Sequence, residues 1–398
     1  MKCIYCNEEK EESEFSLEHI FPSSLGGKSI YNPLFKTREV CKKCNSLSGL
    51  YIDSAFVKNF FATMLVPFSK YLGYYDFEKS PHIPFAYIGF VEYIKHPEFE
   101  FCEKWLWIEG SMVYHFHNNS SEDFNTIAGG DPRKRKNKYA GEVYLVGITD
   151  NPFWMTLLMR AYNKQFQKSK KFFVNYMLPD EVKEKLPAIN QIQKNICEEI
   201  YKRHKTKEEQ KHILVIQENF NIRFQAKLAL GLGHSLFGDD YTQSSEAKSI
   251  RNIFWNKDYK ELERLNPEML QFFSEPKENL SNFTKYISFP GCHGLFFFVV
   301  DNSLIFYADL YGEGQYPVLT VITRNLDSHS HALVEKYPEG WGYILVPQRD
   351  MFIGEFDIAS MLAYNTGDKS SLPELFELEK LYKSKEELPP FNVKGKEL

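Results

Sequence analysis

A glutamate and a histidine stand side by side in residues 16–27, whose sequence is SLEHIFPSSLGG. A carboxylate is a hard ligand that suits Mg²⁺ or Mn²⁺. An imidazole with an ordinary pKa of about 6.5 can accept a proton from water at neutral pH. The apolar residues around the pair predict a short strand, on which Glu18 and His19 project to opposite faces. One side chain would then face a metal and the other a substrate.

Four of the seven cysteines form two C-x-x-C pairs within the first 44 residues, and they are Cys3, Cys6, Cys41 and Cys44. In a chain without a secretion signal, such pairs predict a tetrahedral zinc site rather than disulfides. The 34 residues between the pairs exceed the loop of a short zinc ribbon. The intervening segment, which contains Glu18 and His19, is therefore expected to have a function of its own.

A helix is expected to begin at the second cysteine pair, because apolar residues recur at helical spacing from Leu47 to Phe61. Asn45 follows Cys44 directly and lies in the first turn of this helix. Asp53 lies two turns later and is interpreted as a residue that holds the loop. The segment is thus a strand, a loop and a helix. The predicted four-cysteine zinc site, called the zinc clip below, joins its two ends.

These residues resemble the HNH, or ββα-metal, endonucleases, in the branch whose nuclease hairpin carries a four-cysteine zinc. The similarity covers about residues 1–56 and rests on CIYC, LEHIFPSSLGGK and VCKKCNSLSGLYID. It implies that Glu18 binds the catalytic metal, that His19 is the general base, and that Asn45 is the second metal ligand. Asn32 matches the middle position of the motif. Asparagine in the last position is similar to the phage junction-resolving endonucleases, which share the four-cysteine zinc.

The chemistry of these side chains agrees with the implied roles. A carboxylate and an amide oxygen suit Mg²⁺ or Mn²⁺ and leave positions for water and a phosphate oxygen. Such a metal would stabilise the charge that develops on a phosphodiester during hydrolysis, while neutral His19 takes a proton from the attacking water. The zinc clip would bring Asn45 under the strand that carries Glu18, where one metal could bridge them.

The formal net charge of −5 excludes a protein whose whole surface coats nucleic acid, but it allows a local basic surface. One edge of the predicted site is basic, with Lys28, Lys36, Arg38, Lys42 and Lys43. Residues 129–138, GGDPRKRKNK, form either a loop that grips a nucleic acid backbone or a solvated loop. Without a secretion signal or an apolar run long enough to span a bilayer, the expected location is the cytoplasm, with no membrane partner.

Beyond residue 60, the alternating aromatic segments 84–94, 104–118 and 141–149 predict strands, and 293–312 predicts a hairpin. Residues 152–166, 188–204 and 221–238 predict helices. His115 and His117 share one strand face, and surface positions are favoured over a metal site. The predicted fold class is α+β with antiparallel sheets, and the expected domains are residues 1–56, 57–205 and 206–398. The alternative that the last two regions form one domain stays open.

The leading functional hypothesis is a metal-dependent endonuclease that hydrolyses phosphodiester bonds of DNA, with zinc as the structural metal. RNA stays open as a substrate. The larger C-terminal region would direct or regulate cleavage, with a partner protein or a second copy as the regulator, and the resemblance suggests a setting in phage defence. The alternative hypothesis is a non-catalytic zinc module that binds another protein or a nucleic acid.

Overall fold

The computed structural model describes residues 1–57, 72–77, 83, 85–118, 141–147, 149, 151–174, 189–206, 218–258, 260–262, 286–312, 314, 316–383 and 387–389. The chain divides into two compact units. The first unit comprises Met1–Val57, Lys70–Tyr75 and Gln217–Tyr382. The second unit comprises Lys58–Ser69, Asp76–Ile216 and Lys383–Leu398. The N-terminal segment therefore shares one compact unit with most of the region beyond residue 206.

The N-terminal segment is a hairpin followed by a helix, as the sequence predicts. Strand β1 (Phe15–His19) pairs antiparallel with strand β2 (Lys36–Cys41). Helix α1 (Lys42–Ser48) follows at once and continues into a π-helical turn, Gly49–Asp53. The predicted strand, loop and helix are therefore confirmed.

The loop between β1 and β2 turns sharply at two glycines. Gly26 has a φ of 95°, a left-handed conformation that glycine adopts without steric cost. A Cβ on Gly27 would lie 1.9 Å from the carbonyl oxygen of Phe21. The double glycine of the motif is therefore required by the backbone of this loop.

The remainder of the first unit is built on a five-stranded antiparallel sheet with the strand order β10-β9-β8-β11-β12. Its strands are β8 (His293–Val300), β9 (Ser303–Leu310), β10 (Tyr316–Thr323), β11 (Gly340–Val346) and β12 (Met351–Asp357). Phe35 of the N-terminal loop packs against rings on this sheet, with centroid distances of 5.5 Å to Tyr343 and 6.1 Å to Phe297. The nuclease-like hairpin therefore shares an aromatic core with the sheet.

Among the described residues, five further helices belong to the first unit. Helices are numbered along the chain, and α2 and α3 belong to the second unit. These five helices of the first unit are α4 (Glu218–Gln243), α5 (Ser245–Trp255), α6 (Ala332–Lys336), α7 (Ile358–Thr366) and α8 (Pro373–Glu379). Gly231 of α4 lies so close to the hairpin that a Cβ there would be 2.7 Å from Ile20. The backbone of α4 therefore approaches the end of β1 directly.

The second unit contains another five-stranded sheet, with the order β3-β4-β5-β6-β7. Its strands are β3 (Ala86–Phe90), β4 (Phe101–Leu106), β5 (Met112–His117), β6 (Glu142–Val146) and β7 (Lys170–Phe173). All neighbours are antiparallel except β6 and β7, which are parallel and joined through helix α2 (Pro152–Gln165). Helix α3 (Gln191–Thr206) packs Ile196 and Ile200 into the core of this sheet.

The predicted α+β class with antiparallel sheets is confirmed, as are the predicted helices and the hairpin at 293–312. Residues 129–138 lie outside the described residues. His115 and His117 do share one strand face, but the expected surface position is wrong, because they are only 5% and 1% exposed. Across the part of the chain that the structure describes, none of the helices combines the length and apolarity needed to cross a membrane.

Candidate metal centre and nuclease site

The four N-terminal cysteines converge, and their Sγ atoms all lie within 4.8 Å of one another. Zinc–sulfur bonds of about 2.3 Å place the corners of a tetrahedron about 3.8 Å apart, so this spacing suits zinc. The backbone N–H of Cys41 donates to Cys3 Sγ at 3.3 Å, and that of Cys44 donates to Cys41 Sγ at 3.4 Å. A hydrogen bond from the Cys44 thiol lowers the pKa of Cys3 to about 4. The same contact raises the pKa of the Cys44 thiol, so the spacing of the four sulfur atoms, and not their protonation, supports the four-cysteine zinc site.

Side chains of helix α5 form hydrogen bonds with the backbone of the first cysteine turn, residues 3–6. Arg251 Nε donates to the carbonyl oxygen of Ile4 at 3.0 Å, and Trp255 Nε1 donates to that of Tyr5 at 2.8 Å. The ring of Tyr5 also packs on Phe254, with centroids 4.8 Å apart. The position of the zinc turn thus depends on residues about 250 positions away in the sequence.

Glu18 points inward from β1 and is only 3% exposed. Its Oε1 accepts a hydrogen bond from Tyr5 Oη at 3.2 Å and lies 2.8 Å from Lys227 Nζ. Among the described residues, both contacts fall on Oε1. Neither of these two contacts involves Oε2 of Glu18.

Lys227, on α4, is a residue of this site that the motif does not reveal. Its ammonium is fully buried and lies 2.6 Å from Asp53 Oδ2, and it donates to the carbonyl oxygen of His19 at 3.2 Å. Burial opposes its charge, but the carboxylates of Asp53 and Glu18 outweigh this effect and raise the pKa of Lys227. Burial also raises the pKa of Asp53 to about 6, against the attraction of Lys227. In the sequence, Lys227 is recognisable only as a single lysine within the apolar segment FQAKLALGLG, residues 224–233.

Asn45 lies at the start of α1, directly against β1. Its Nδ2 donates to Ser16 Oγ at 3.0 Å and to the carbonyl oxygen of Leu17 at 2.9 Å. Because both contacts use the amide nitrogen, they set the orientation of the amide and do not involve Oδ1. The structure thus brings the helix start under the Glu-His strand, although Glu18 and Asn45 contact different partners in this state.

His19 ends β1 opposite Lys36 and is half-buried. Asn32 lies in the loop, where its Oδ1 accepts from the backbone N–H of Leu34 at 2.9 Å and caps a short helical turn. Its Nδ2 donates to Tyr343 Oη at 3.1 Å. Asn32 therefore ties the loop to the five-stranded sheet of the first unit.

A cleft of about 710 Å³ opens beside the hairpin and is lined by Asn32, Lys36, Thr37 and His234, among others. Glu39, His234 and Asp239 bring ligand atoms within 4.8 Å of one another in its wall. Asp239 is exposed and the Glu39 side chain is 41% exposed. Because these two carboxylates are accessible to solvent, the group is interpreted as a polar cluster in the cleft wall rather than a metal site.

The predicted basic edge is accessible to solvent. Lys28, Arg38, Lys42 and Lys43 are exposed, and Lys36 is half-buried. Lys28 pairs with Asp350 at 3.5 Å, and Lys42 Nζ donates to the carbonyl oxygen of Ser13 at 2.7 Å. Four of these five residues lie on β2 and α1, and Lys42 and Lys43 stand between Cys41 and Cys44 in the sequence.

Comparison with known proteins identifies the N-terminal segment. Residues 3–61 match the model of the HNH endonuclease family. No curated protein and no solved structure matches the chain. The match covers the cysteine cluster, Glu18, His19 and Asn45, so the predicted resemblance is confirmed for this segment.

Proposed function

We propose that the HNH endonuclease domain of residues 3–61 hydrolyses phosphodiester bonds of DNA with a divalent metal, Mg²⁺ or Mn²⁺. The observation that carries this proposal is the position of Asn45, whose amide is held against β1 within hydrogen-bond distance of Leu17. This contact joins the helix start to the strand that carries Glu18 and His19. It therefore supports a hydrolytic metal site built from residues of β1 and α1.

The proposed metal ligands are Glu18 Oε2 and Asn45 Oδ1. Both are hard oxygen donors, and two protein ligands leave most of an octahedral shell for water and phosphate. When bound, the metal would stabilise negative charge on the phosphate and on the departing 3′-oxygen. The hydrogen bonds on Glu18 Oε1 and Asn45 Nδ2 orient each ligand before the metal arrives.

His19 is the proposed general base. Its neutral imidazole accepts a proton from the water whose oxygen attacks phosphorus, and the bond from phosphorus to the 3′-oxygen breaks. The ammonium of Lys227 holds the His19 carbonyl oxygen, so the backbone beneath the imidazole is anchored to α4. The exposed Arg38, Lys42 and Lys43 would contact the phosphates of the substrate.

The region beyond the nuclease segment is proposed to direct or regulate cleavage. Lys227 supports this role, because a residue of α4 contacts Glu18, His19 and Asp53 together. Any shift of α4 would therefore alter the charge balance at the site. A partner protein or a second copy would act through this helix, and phage defence is the setting we propose.

One observation favours the alternative of a non-catalytic zinc module. Lys227 Nζ lies 2.8 Å from Glu18 Oε1. This ion pair engages one oxygen of the carboxylate that would bind the metal. In that case the cysteine cluster would serve only to present the basic edge to a partner.

Incubation of the purified full chain with supercoiled plasmid separates the two hypotheses. We expect nicked and linear DNA with Mg²⁺ or Mn²⁺ and none with a chelator of divalent ions. A parallel digestion of single-stranded and duplex RNA determines the preferred sugar. Intact plasmid in the presence of either metal, with the protein folded and zinc-loaded, would support the binding module.

A further inference from the structure

A glutamate and two histidines come together inside the second unit, apart from the nuclease segment. Glu103 on β4 lies directly opposite His115 on β5, and His117 follows two residues later on the same face. Their ligand atoms all lie within 4.8 Å of one another. We propose that Glu103, His115 and His117 bind a divalent transition metal ion, with Zn²⁺ as the preferred ion.

The distances within this group suit tetrahedral coordination. His117 Nε2 lies 3.0 Å from Glu103 Oε1, and His115 Nδ1 lies 3.6 Å from Glu103 Oε2. Zinc bonds to nitrogen and oxygen of about 2.0–2.1 Å place neighbouring corners of a tetrahedron about 3.3–3.4 Å apart. The observed spacings bracket this value, so small side-chain movements suffice to close the group around an ion.

The three side chains of this group are buried, which affects the energy of the Glu103 carboxylate. The side chains of Glu103, His115 and His117 are 0%, 7% and 1% exposed. A carboxylate removed from water is costly unless opposite charge compensates it. A divalent ion bound by one carboxylate and two neutral imidazoles would place positive charge directly against this carboxylate.

Neighbouring polar groups orient the ligands. Trp105 Nε1 donates to Glu103 Oε2 at 3.0 Å, and Ser169 Oγ lies 3.2 Å from His115 Nε2. The contact with Ser169 occupies the far nitrogen of the His115 ring and directs Nδ1 towards Glu103. Metal-binding histidines are commonly fixed in this manner by a partner on the second nitrogen.

The donor set determines the class of ion. Two imidazoles and one carboxylate favour zinc and other late first-row metals over Ca²⁺ or Mg²⁺, which prefer oxygen alone. Three protein ligands leave a fourth position for water. The site differs in this respect from the four-cysteine cluster, whose ligands fill the whole tetrahedron.

The same unit contains a buried histidine–glutamate pair that provides a matched control. His96 Nε2 lies 3.1 Å from Glu142 Oε2. Glu142 also accepts hydrogen bonds from Tyr144 Oη at 2.6 Å and Gln193 Nε2 at 2.8 Å. The Glu142 carboxylate therefore faces one imidazole nitrogen, whereas the Glu103 carboxylate faces two.

The test counts metal in the full chain by mass spectrometry after removal of loosely bound ions. We expect His117→Ala and the isosteric Glu103→Gln each to lower the zinc content by about one ion per chain. The control variant His96→Ala should retain the wild-type content. Equal zinc in all four proteins would overturn the proposal.

Cobalt substitution tests the wild-type chain and therefore does not depend on the folding of a variant. The metal-free protein should take up Co²⁺ at the cysteine cluster, with strong thiolate-to-cobalt absorption, and at a second position with ligand-field bands only. Uptake that is complete once the thiolate absorption saturates would contradict the proposal. Neither measurement depends on nuclease activity. A negative result for this metal site is therefore distinct from a failure of the proposed function.

Discussion

Replacing His19 by alanine is expected to lower the rate of plasmid cleavage by a factor of about 10²–10⁴, the usual contribution of a positioned general base. The half-buried imidazole at the end of β1 is the group that we assign to accept the proton of the attacking water. Alanine removes this acceptor and leaves the β1–β2 pairing and the Lys227 contact with the backbone carbonyl in place. Initial rates of nicking with saturating Mg²⁺ measure the effect.

The matched control is His329→Ala. His329 belongs to the same unit and stacks on Phe237, with ring centroids 4.6 Å apart. It has no part in the proposed chemistry, so this variant should cleave at the wild-type rate. If His19→Ala also cleaved at the wild-type rate, the assignment of the base would be wrong.

Replacing Lys227 by methionine is expected to lower the free energy of unfolding by about 3–5 kcal/mol, the typical result of removing one partner of a buried ion pair. Methionine keeps the length of the side chain but leaves Glu18 and Asp53 without their shared cation. These side chains are only 4% and 17% exposed, so water replaces little of the lost interaction. Chemical denaturation measures the change, and Lys248→Met on the exposed side of α5 is the control.

The size of this loss should depend on pH. Burial holds the pKa of Asp53 near 6, above its ordinary value of 3.8, so its protonated form is favoured in the folded state. Its contribution to stability is therefore present below about pH 4 and is lost as the pH rises through about 6. Without Lys227 this pKa rises further, and the variant should be more destabilised near pH 8 than near pH 5. A loss that was the same at both values would contradict the ion-pair explanation.

The local part of the site could be predicted from the sequence, because its signals lie within a few dozen residues. The cysteine spacing predicts the cluster, and the apolar pattern around Glu18 and His19 predicts β1. The position of Asn45 after the second cysteine pair predicts the helix start. Each of these features is determined by residues that are close together in the sequence.

The long-range contacts could not be predicted in the same way. Lys227 reaches Asp53 and the His19 carbonyl oxygen across 174 and 208 residues. A hairpin of β8 and β9 follows from alternation and a turn, but the placement of β11 beside β8 depends on packing of the whole sheet. The burial of His115 and His117 cannot be predicted from the sequence for the same reason, because strand alternation does not show which face is covered.

The most direct test of the nuclease site is a crystal structure of the full chain soaked with Mn²⁺. We expect anomalous density between β1 and α1, joined to Glu18 Oε2 and Asn45 Oδ1 at about 2.1–2.2 Å. His19 should lie close to a water on this ion. Manganese density at another position, with Glu18 still held by Lys227 alone, would contradict the assigned metal ligands.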